Sequence, residues 1–345
     1  MKTAVALSGG ADSLACLILL KDTGHDLLPF HARFFPTTEK DTKTQDHLRQ
    51  ICAELGLEFH VLDLTQDFEQ TVIKPFIDSY LEGLTPNPCA LCNRKIKFGL
   101  IFDRVKGLGA GFMATGHYAG TSRSGSNLSL WRGADRAKDQ SYFLSMVPVN
   151  VFDRIIFPLS RMTKAEALEL LKKRNITPPV RAESNEICFI SDDYRKFISG
   201  KVSGRILDNP GPVKNTQGST LGRHQGLWRY TQGQRRGLGI AHEHPLYVLG
   251  KDYKTNTLVV GSQEELMTRT CKAGRVNIHQ DPSLWPEKMF VQTRYRQKAA
   301  QARVDITGDE MLVSFSRPRE VSAPGQVAAV YSEQGQVLAA GIITQ

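Results

Sequence analysis

The sequence predicts an α/β protein with two β-rich additions: an amino-terminal parallel sheet layered with helices, a small central β-rich domain and a carboxy-terminal antiparallel β-barrel. Three observations lead there. The first half alternates short β-branched runs with amphipathic stretches, the βαβ rhythm of an open sheet. After residue 199 that rhythm stops, and Gly, Pro and Asn punctuate short strands. From about 268 the strands alternate apolar and polar residues with hairpin spacing. The boundaries therefore fall at 1–199, 200–267 and 268–345.

The elements follow in order. TAVAL (3–7) reads as a strand and DSLACLILLKDTG as the helix after it; LLPFHARFF, TQDHLRQICAELG and EFHVLDL continue strand, helix, strand. GFMATGHY (111–118) is a further strand opening into a loop, and Thr163-Lys-Ala-Glu166 starts a helix with a capping box. NPGPVKNTQGSTLG and YVLGKDYKTNTLVVGS supply the short central strands. KMFVQTRYR, QARVDITGDEMLVSF and GQVAAVYSEQGQVLAAGIIT supply the barrel, with Arg294 to Arg296 expected on a strand. No internal repeat or low-complexity segment interrupts the pattern.

The 345 residues contain no apolar run of 18 or more, and the start MKTAVALSGG is not a leader peptide, so a cytoplasmic chain without membrane or export business is expected. Its formal charge of +9 is regional: residues 201–300 hold 16 Lys and Arg against 7 Asp and Glu, and the other 245 residues balance. With Trp228, Tyr230, Tyr247, Trp285 and Tyr295 interleaved, this stretch reads either as a solvated basic face or as a phosphate-backbone footprint. Six cysteines (16, 52, 89, 92, 188 and 271) suggest reduced thiols. Cys16, Cys52 and Cys271 sit in apolar patterns and are expected in cores, while His31, His47 and His60 carry no pattern.

VALSGGADS (5–13) puts glycines and small hydroxyls between a strand and a helix, where backbone amides and the helix dipole favour an anion. A plain turn with Asp12 or Ser13 as helix cap is the alternative. The lysine of the GxxxxGK[ST] loop is missing and the spacing is not GxGxxG. The loop resembles the SGGxDS loop of the PP-loop ATP pyrophosphatases, which cleave ATP between the α and β phosphates. By that resemblance Ala6, Leu7, Ser8, Gly9, Gly10, Asp12 and Ser13 hold ATP, and Asp12 also faces Mg²⁺, a cation that prefers oxygen.

Eight further motifs narrow the reaction. Thr85-Pro-Asn-Pro-Cys-Ala-Leu-Cys-Asn93, Arg94-Lys-Ile-Lys-Phe98, Ala114-Thr-Gly-His-Tyr118, Lys138-Asp-Gln-Ser-Tyr-Phe143, Ile187-Cys-Phe-Ile190, Gly233-Gln-Arg-Arg-Gly-Leu-Gly239, Thr293-Arg-Tyr-Arg-Gln297 and Pro324-Gly-Gln326 follow in order. Together they resemble the tRNA-specific 2-thiouridylase family over essentially the whole chain. The resemblance implies adenylation of the C2 oxygen of a wobble uridine, then sulfur transfer to give 2-thiouridine, AMP and pyrophosphate. It makes Cys92 the nucleophile and Cys188 the persulfide bearer, and places Phe34 and Gly116 at the nucleotide. His117, Lys138, Asp139, Gln140, Arg294, Tyr295 and Gln326 match tRNA-contacting positions, and the turn Asn87, Pro88, Cys89 would face the flipped base. Implied partners are tRNAs for Lys, Glu and Gln and a sulfur donor, either a cysteine desulfurase relay or free sulfide; DNA is not expected. The regional charge then reads as a tRNA footprint with Arg235 and Arg236 in it.

The chain departs from that family in two places. Cys89 stands where an acid is usual, making a CxxC, and Ser184-Asn-Glu-Ile-Cys188 departs from the usual small residues before the second cysteine. Cys89, Cys92 and Cys188 could together hold a 4Fe–4S cluster with one iron open, which is the favoured expectation here. A persulfide and disulfide pair with Cys89 as a spare or resolving thiol comes next, and structural zinc, short of a fourth ligand, after it. Two rival functions remain: another nucleotide-activating transferase, and an idle tRNA-binding or Fe–S sensing module.

Overall fold

The computed structural model describes residues 1–180, 187–190, 192–202, 207 and 209–344; Ser184, Asn185 and Glu186 of the second departure lie outside them. Strands β1 (Lys2–Ala6), β2 (Leu27–Arg33), β3 (His60–Asp63) and β4 (Ala110–Ala114) come first, then a hairpin of β5 (Ala119–Ser124) and β6 (Asn127–Arg132), then β7 (Ile155–Ile156). β3, β2, β1, β4 and β7 form, in that order, a parallel sheet. Strand order reverses between β1 and β4, so the loops after these two strands flank the crevice where α/β sheets bind ligands.

Consecutive residues of β1 point to opposite faces, and both faces are covered. Ala4 joins a core with Phe30, Phe68, Phe76 and Ile96; Val5 and Leu7 join a second with Leu14, Leu17 and Leu48. Helix α1 (Ala11–Asp22) is buried almost all round because the helix Lys164–Lys173 packs over its outer side. α2 (Glu39–Glu54) begins at Thr38, whose hydroxyl and Asp41 form a capping box, earlier than the apolar pattern alone places it. The box expected at Thr163 and Glu166 is present.

Helical turns fill 65–81 and 88–107, and two stretches, Glu69–Ile73 and Asn93–Ile101, are π-helical. The second continues directly from the short helix Pro88–Cys92 that carries the CxxC.

The central sheet is ordered β10 (Tyr247–Asp252), β11 (Thr257–Gly261), β8 (Gly211–Lys214) and β9 (Thr220–His224). Its core holds Val213, Leu227, Tyr230, Val248, Leu258 and Val260. Trp228 and Tyr230 are thus buried rather than displayed among the basic residues; the indole of Trp228 donates to the Leu207 carbonyl at 2.9 Å. A closed barrel follows, ordered β12 (Met267–Ile278), β15 (Glu310–Glu320), β14 (Ala300–Thr307), β13 (Met289–Gln292), β16 (Val327–Ser332) and β17 (Val337–Ile343). Here one sequence expectation fails. Arg294, Tyr295 and Arg296 are not on a strand but in the turn between β13 and β14, with Arg296 at φ 63° and the Gln297 N–H donating to the Arg294 carbonyl at 3.1 Å.

The barrel seats on the hairpin and on the sequence before the CxxC. Arg132 of β6 donates from its backbone to the Gly335 carbonyl at 2.9 Å, reaches Gln292 at 2.8 Å and lies 3.7 Å over the Tyr331 ring. Gln326 donates its amide to the carbonyls of Thr85 and Pro86 at 2.9 and 3.1 Å, and the Thr85 N–H donates to Pro324 at 2.7 Å. The central domain grips the same segment: Lys251 Nζ donates to the Gly83 carbonyl at 2.9 Å, and Gly83, at φ 84°, sits so close to Tyr253 that a Cβ would overlap its phenol. Among the described residues no helix is long and apolar enough to cross a membrane.

Phe68 lies at the centre of the first core, stacked on Phe34 at 4.7 Å and edge-on to Phe35 and Phe189. Truncation to Ala removes a fully buried ring, so Phe68→Ala is expected to destabilise the amino-terminal domain by about 3–5 kcal/mol, read from denaturant unfolding.

Candidate active site

The glycine loop closes on its own hydroxyls. Ser13 Oγ donates to the Gly10 carbonyl at 2.8 Å and accepts from the Ser8 N–H at 3.2 Å; Ser8 Oγ accepts from the Gly10 N–H at 3.4 Å. Gly9 adopts φ 84°, and a Cβ there would come within 3.0 Å of Thr44 and Val180. The Gly9 carbonyl accepts from Val180 N–H at 3.0 Å, pinning the loop from the far side. No side chain caps α1, so neither Asp12 nor Ser13 has the capping role that a plain turn needs, and the first-turn amides stay open toward an anion. Ala6 ends β1, and buried Leu7 is tied to β2 through its N–H to Phe30 at 2.8 Å and its carbonyl to His31 Nδ1 at 2.8 Å. Phe34 follows β2 on the same edge.

The neighbouring loop comes close because of a glycine. A Cβ on Gly116 would lie 2.7 Å from the Asp12 carbonyl, so this residue lets the end of β4 touch the start of α1. The Asp12 carboxylate takes hydrogen bonds at one oxygen from Lys164 Nζ and from the Tyr118 hydroxyl, both at 2.8 Å. Lys164, opening its helix far along the chain, thus brings to the loop the cation that the loop lacks in sequence. Gln140 fixes Tyr118 by accepting its N–H at 3.1 Å and donating its own to the Tyr118 carbonyl at 2.9 Å.

Next to Gly116, His117 is buried; Nδ1 meets Thr115 Oγ1 at 2.7 Å and Nε2 meets Lys97 Nζ at 3.5 Å. Burial, reinforced by the Lys97 charge, holds the imidazole well below its ordinary pKa, so it is neutral at physiological pH. Lys97 in turn acts on the sulfur groups. Burial pushes the thiol of Cys89 up to about 11 and that of Cys92 up to about 12, and raises Cys188; the Lys97 charge opposes the rise at all three. The three thiols also repel one another's negative charge, which places them in one electrostatic neighbourhood. Cys92 is buried, Cys89 half-buried and Cys188 exposed. Asn87 caps the CxxC helix through Ala90 N–H at 3.0 Å, and Pro88 takes its first turn. Cys188 lies in a turn whose Phe189 is anchored against Phe76 and Phe197. As expected, Cys16, Cys52 and Cys271 are buried.

The cluster expectation does not find its geometry. Among the described residues no three His, Cys, Asp or Glu side chains are gathered as metal ligands. Cys89, Cys92 and Cys188 are neighbours in charge but do not fit an iron–sulfur or zinc centre as they stand.

The residues matched to tRNA contacts divide. Arg294 is exposed in its turn, and Tyr295 packs on Phe143 at 4.3 Å with part of its ring open. Lys138 is half-exposed. Asp139 is buried, paired with Arg132 at 3.0 Å and accepting from Gly133, Ser141 N–H and Ser141 Oγ, so its carboxylate shapes a loop. Gln140 and Gln326 have internal partners, and His117 faces inward. A cavity of about 480 Å³ between hairpin and barrel is lined by Arg132, Arg136, Tyr295, Arg296 and Lys298, away from the cysteines. Sequence reasoning gave no role to Lys164, nor to Tyr118 and Lys97, which it met only as members of the Ala114–Tyr118 and Arg94–Phe98 motifs. It also missed Asn93, which donates to the Phe143 carbonyl at 3.2 Å while its buried Oδ1 has no partner.

A parallel α/β domain with an open glycine loop at its reversal point, extended by two β-domains, defines the class: a HUP-type nucleotide-binding domain with appended barrels. Residues 1–192 match the family described as tRNA methyl transferase HUP domain, 199–262 the tRNA methyl transferase PRC-barrel domain, and 268–343 the aminomethyltransferase beta-barrel domain. The tRNA-specific 2-thiouridylase MnmA of Nitratidesulfovibrio vulgaris (Miyazaki F) is 48% identical over 349 residues, 99% of each chain. The enzyme of the same name from Oleidesulfovibrio alaskensis is 48% identical over 354 residues, again 99% of each. The chain belongs to the tRNA-specific 2-thiouridylase family.

Gly116→Ala is expected to push the Asp12 backbone away and weaken ATP binding at least tenfold by calorimetry, with circular dichroism unchanged. Because burial raises the Cys92 thiol, its thiolate is scarce at neutral pH and grows about tenfold per pH unit. The rate of alkylation at Cys92, followed by peptide mass spectrometry, should therefore climb with a slope near one between about pH 7 and 9.

Proposed function

We propose that this chain is an ATP-dependent tRNA uridine 2-sulfurtransferase that converts the wobble uridine of tRNAs for Lys, Glu and Gln to 2-thiouridine by a two-cysteine persulfide route. One observation carries the reading. The glycine loop and the thiols meet across two adjacent residues, Gly116 against Asp12 and His117 against Lys97, at one end of the sheet.

In this reading Ala6 to Ser13 cradle the ATP phosphates on backbone amides, with Phe34 and Gly116 beside the nucleotide. Asp12 is an oxygen ligand for Mg²⁺, and Lys164 supplies the positive charge that stabilises departing pyrophosphate. The anticodon loop gives up its uridine to the pocket by Asn87, Pro88 and Cys89, and the C2 oxygen attacks the α phosphate. The terminal sulfur of a Cys188 persulfide then attacks C2, and AMP leaves with the oxygen. Cys92 thiolate attacks Cys188 Sγ, expelling the 2-thiouridine sulfur and closing a Cys92–Cys188 disulfide. The two cysteines lose two electrons and the sulfane sulfur gains them, so the step balances. The exposure of Cys188 suits loading by a sulfane-sulfur donor such as a desulfurase relay, whose own persulfide transfers its outer sulfur to the thiolate, and the burial of Cys92 suits a protected second step.

In this reading the chain divides at 199 and 267, the central and barrel domains take the tRNA stem, and Lys138, Arg294 and Tyr295 lie at phosphates and bases. Arg294 is exposed and Lys138 half-exposed, in keeping with this assignment.

With unmodified tRNA, ATP and persulfide-loaded protein, Cys92→Ser is expected to release pyrophosphate in a tRNA-dependent burst yet lower 2-thiouridine yield at least a hundredfold. Liquid chromatography of nucleosides and a pyrophosphate assay read the two halves. Loss of both activities together, in a folded variant, would sink the assignment of Cys92 to the sulfur half.

A further inference from the structure

The third thiol has no work in that cycle, yet it lies on the helix of the nucleophile. We propose that Cys89 is a resolving thiol, which attacks Cys92 Sγ of the spent Cys92–Cys188 disulfide and returns Cys188 to the free state for the next sulfur. The inference rests on the persulfide reading above.

Position favours this exchange. Cys89 and Cys92 stand three apart on one short helix, which puts both side chains on one face with Cβ atoms about 5–6 Å apart. A disulfide needs a Cβ separation of about 3.8 Å, so closure asks for a shift of about 1–2 Å in the first helical turn. That turn carries the Asn87 to Ala90 side-chain cap, and the residues before it are held by Gln326. All three sulfurs feel one another and all feel Lys97, the shared cation of the group.

Exposure sets the direction. Of the two sulfurs in the spent disulfide, Cys92 is the one on the helix of the attacker, and Cys188, although burial raises its thiol too, is the one more open to solvent. Attack at Cys92 therefore expels the better leaving group. In the exchange the Cys89–Cys92 bond forms and the Cys92–Cys188 bond breaks. The Cys89 proton passes to solvent and Cys188 leaves as thiolate, with no net change in oxidation. A dithiol reductant of thioredoxin type then supplies two electrons to the Cys89–Cys92 pair. Half-buried Cys89 is reachable for it, whereas Cys92 is not.

The test is disulfide mapping after one turnover. Persulfide-loaded protein is mixed with unmodified tRNA, ATP and Mg²⁺ without reductant, quenched in acid with an alkylating agent and analysed by peptide mass spectrometry. The expected product joins Cys89 to Cys92 and leaves Cys188 alkylated. In Cys89→Ser the disulfide should remain Cys92–Cys188, and with a cysteine desulfurase and its cysteine as sulfane-sulfur donor and a thioredoxin-type dithiol as reductant the steady-state rate, relative to the variant's own burst, should fall at least tenfold. A Cys92–Cys188 disulfide as the final wild-type product overturns the proposal, as does undiminished cycling of Cys89→Ser. If wild type thiolates tRNA and forms no disulfide, the persulfide reading itself fails. Wild-type mapping decides the matter even where the variant folds poorly.

Discussion

A single glutamine amide on two consecutive carbonyls organises this molecule. Gln326 of the barrel binds Thr85 and Pro86, two and one residues before the Asn87 cap of the CxxC helix, and Gly325 packs against Thr85 so closely that a Cβ there would lie 3.0 Å from its carbonyl. From the other side Lys251 and Tyr253 hold Gly83. The Lys251 ammonium is buried enough to bring its pKa down to about 8, so it sits there at the cost of desolvation, offset by the bond to a carbonyl. Four residues of chain are thereby fixed by two further domains, and they feed straight into the helix on which Cys89 and Cys92 stand. The β-domains are part of how that helix is positioned, in addition to any surface they offer to a tRNA.

The electrostatics of the thiol group follow from the same packing. A buried thiol resists ionisation, and three close thiols resist it more, because each thiolate raises the others. Lys97 works against both effects. The π-helical stretch helps to place it: five residues along an α-helix lie about 140° apart round the axis, while the wider i to i+5 ladder brings Cys92 and Lys97 toward one face. His117, kept neutral, meets the ammonium without adding a competing charge.

Much of this was legible in the sequence, for identifiable reasons. The parallel sheet, the central strands and the barrel follow from periodicity, and the glycine loop from its place between strand and helix. The helix caps at Thr163 and the burial of Cys16, Cys52 and Cys271 follow from local chemistry. What was not legible is long-range. Lys164 stands 152 residues from Asp12, and only the packing of its helix on α1 brings them together. The π-helical register at Asn93 has no compositional signature. Arg294 to Arg296 read as a strand because β13 leads into them with alternating residues, but the turn into β14 claims them. Trp228 and Tyr230 stood among arginines in the sequence and are instead buried, Tyr230 in the small central core and Trp228 in the core of the amino-terminal domain. The cysteine count suggested a cluster; spacing in sequence says nothing of whether three sulfurs converge on one point.

The meeting of the two half-sites also bears on the order of events. Asp12 is compensated by Lys164 and Tyr118 in the structure, so under the proposed function a cation arriving with the nucleotide would compete with Lys164 for the same carboxylate. Tyr118, relieved of the same oxygen, remains fastened by Gln140, whose N–H and side-chain carbonyl hold its backbone. The strand end carrying Gly116, His117 and Tyr118 is consequently rigid on the sulfur side and responsive on the phosphate side. Charge exchanged at Asp12 is thus separated from the thiols by the neutral His117 and by Lys97, which keeps the ionisation of the sulfur group from being set by the nucleotide. Under the proposed function, activation of the base and delivery of sulfur would use one crevice without one step discharging the other.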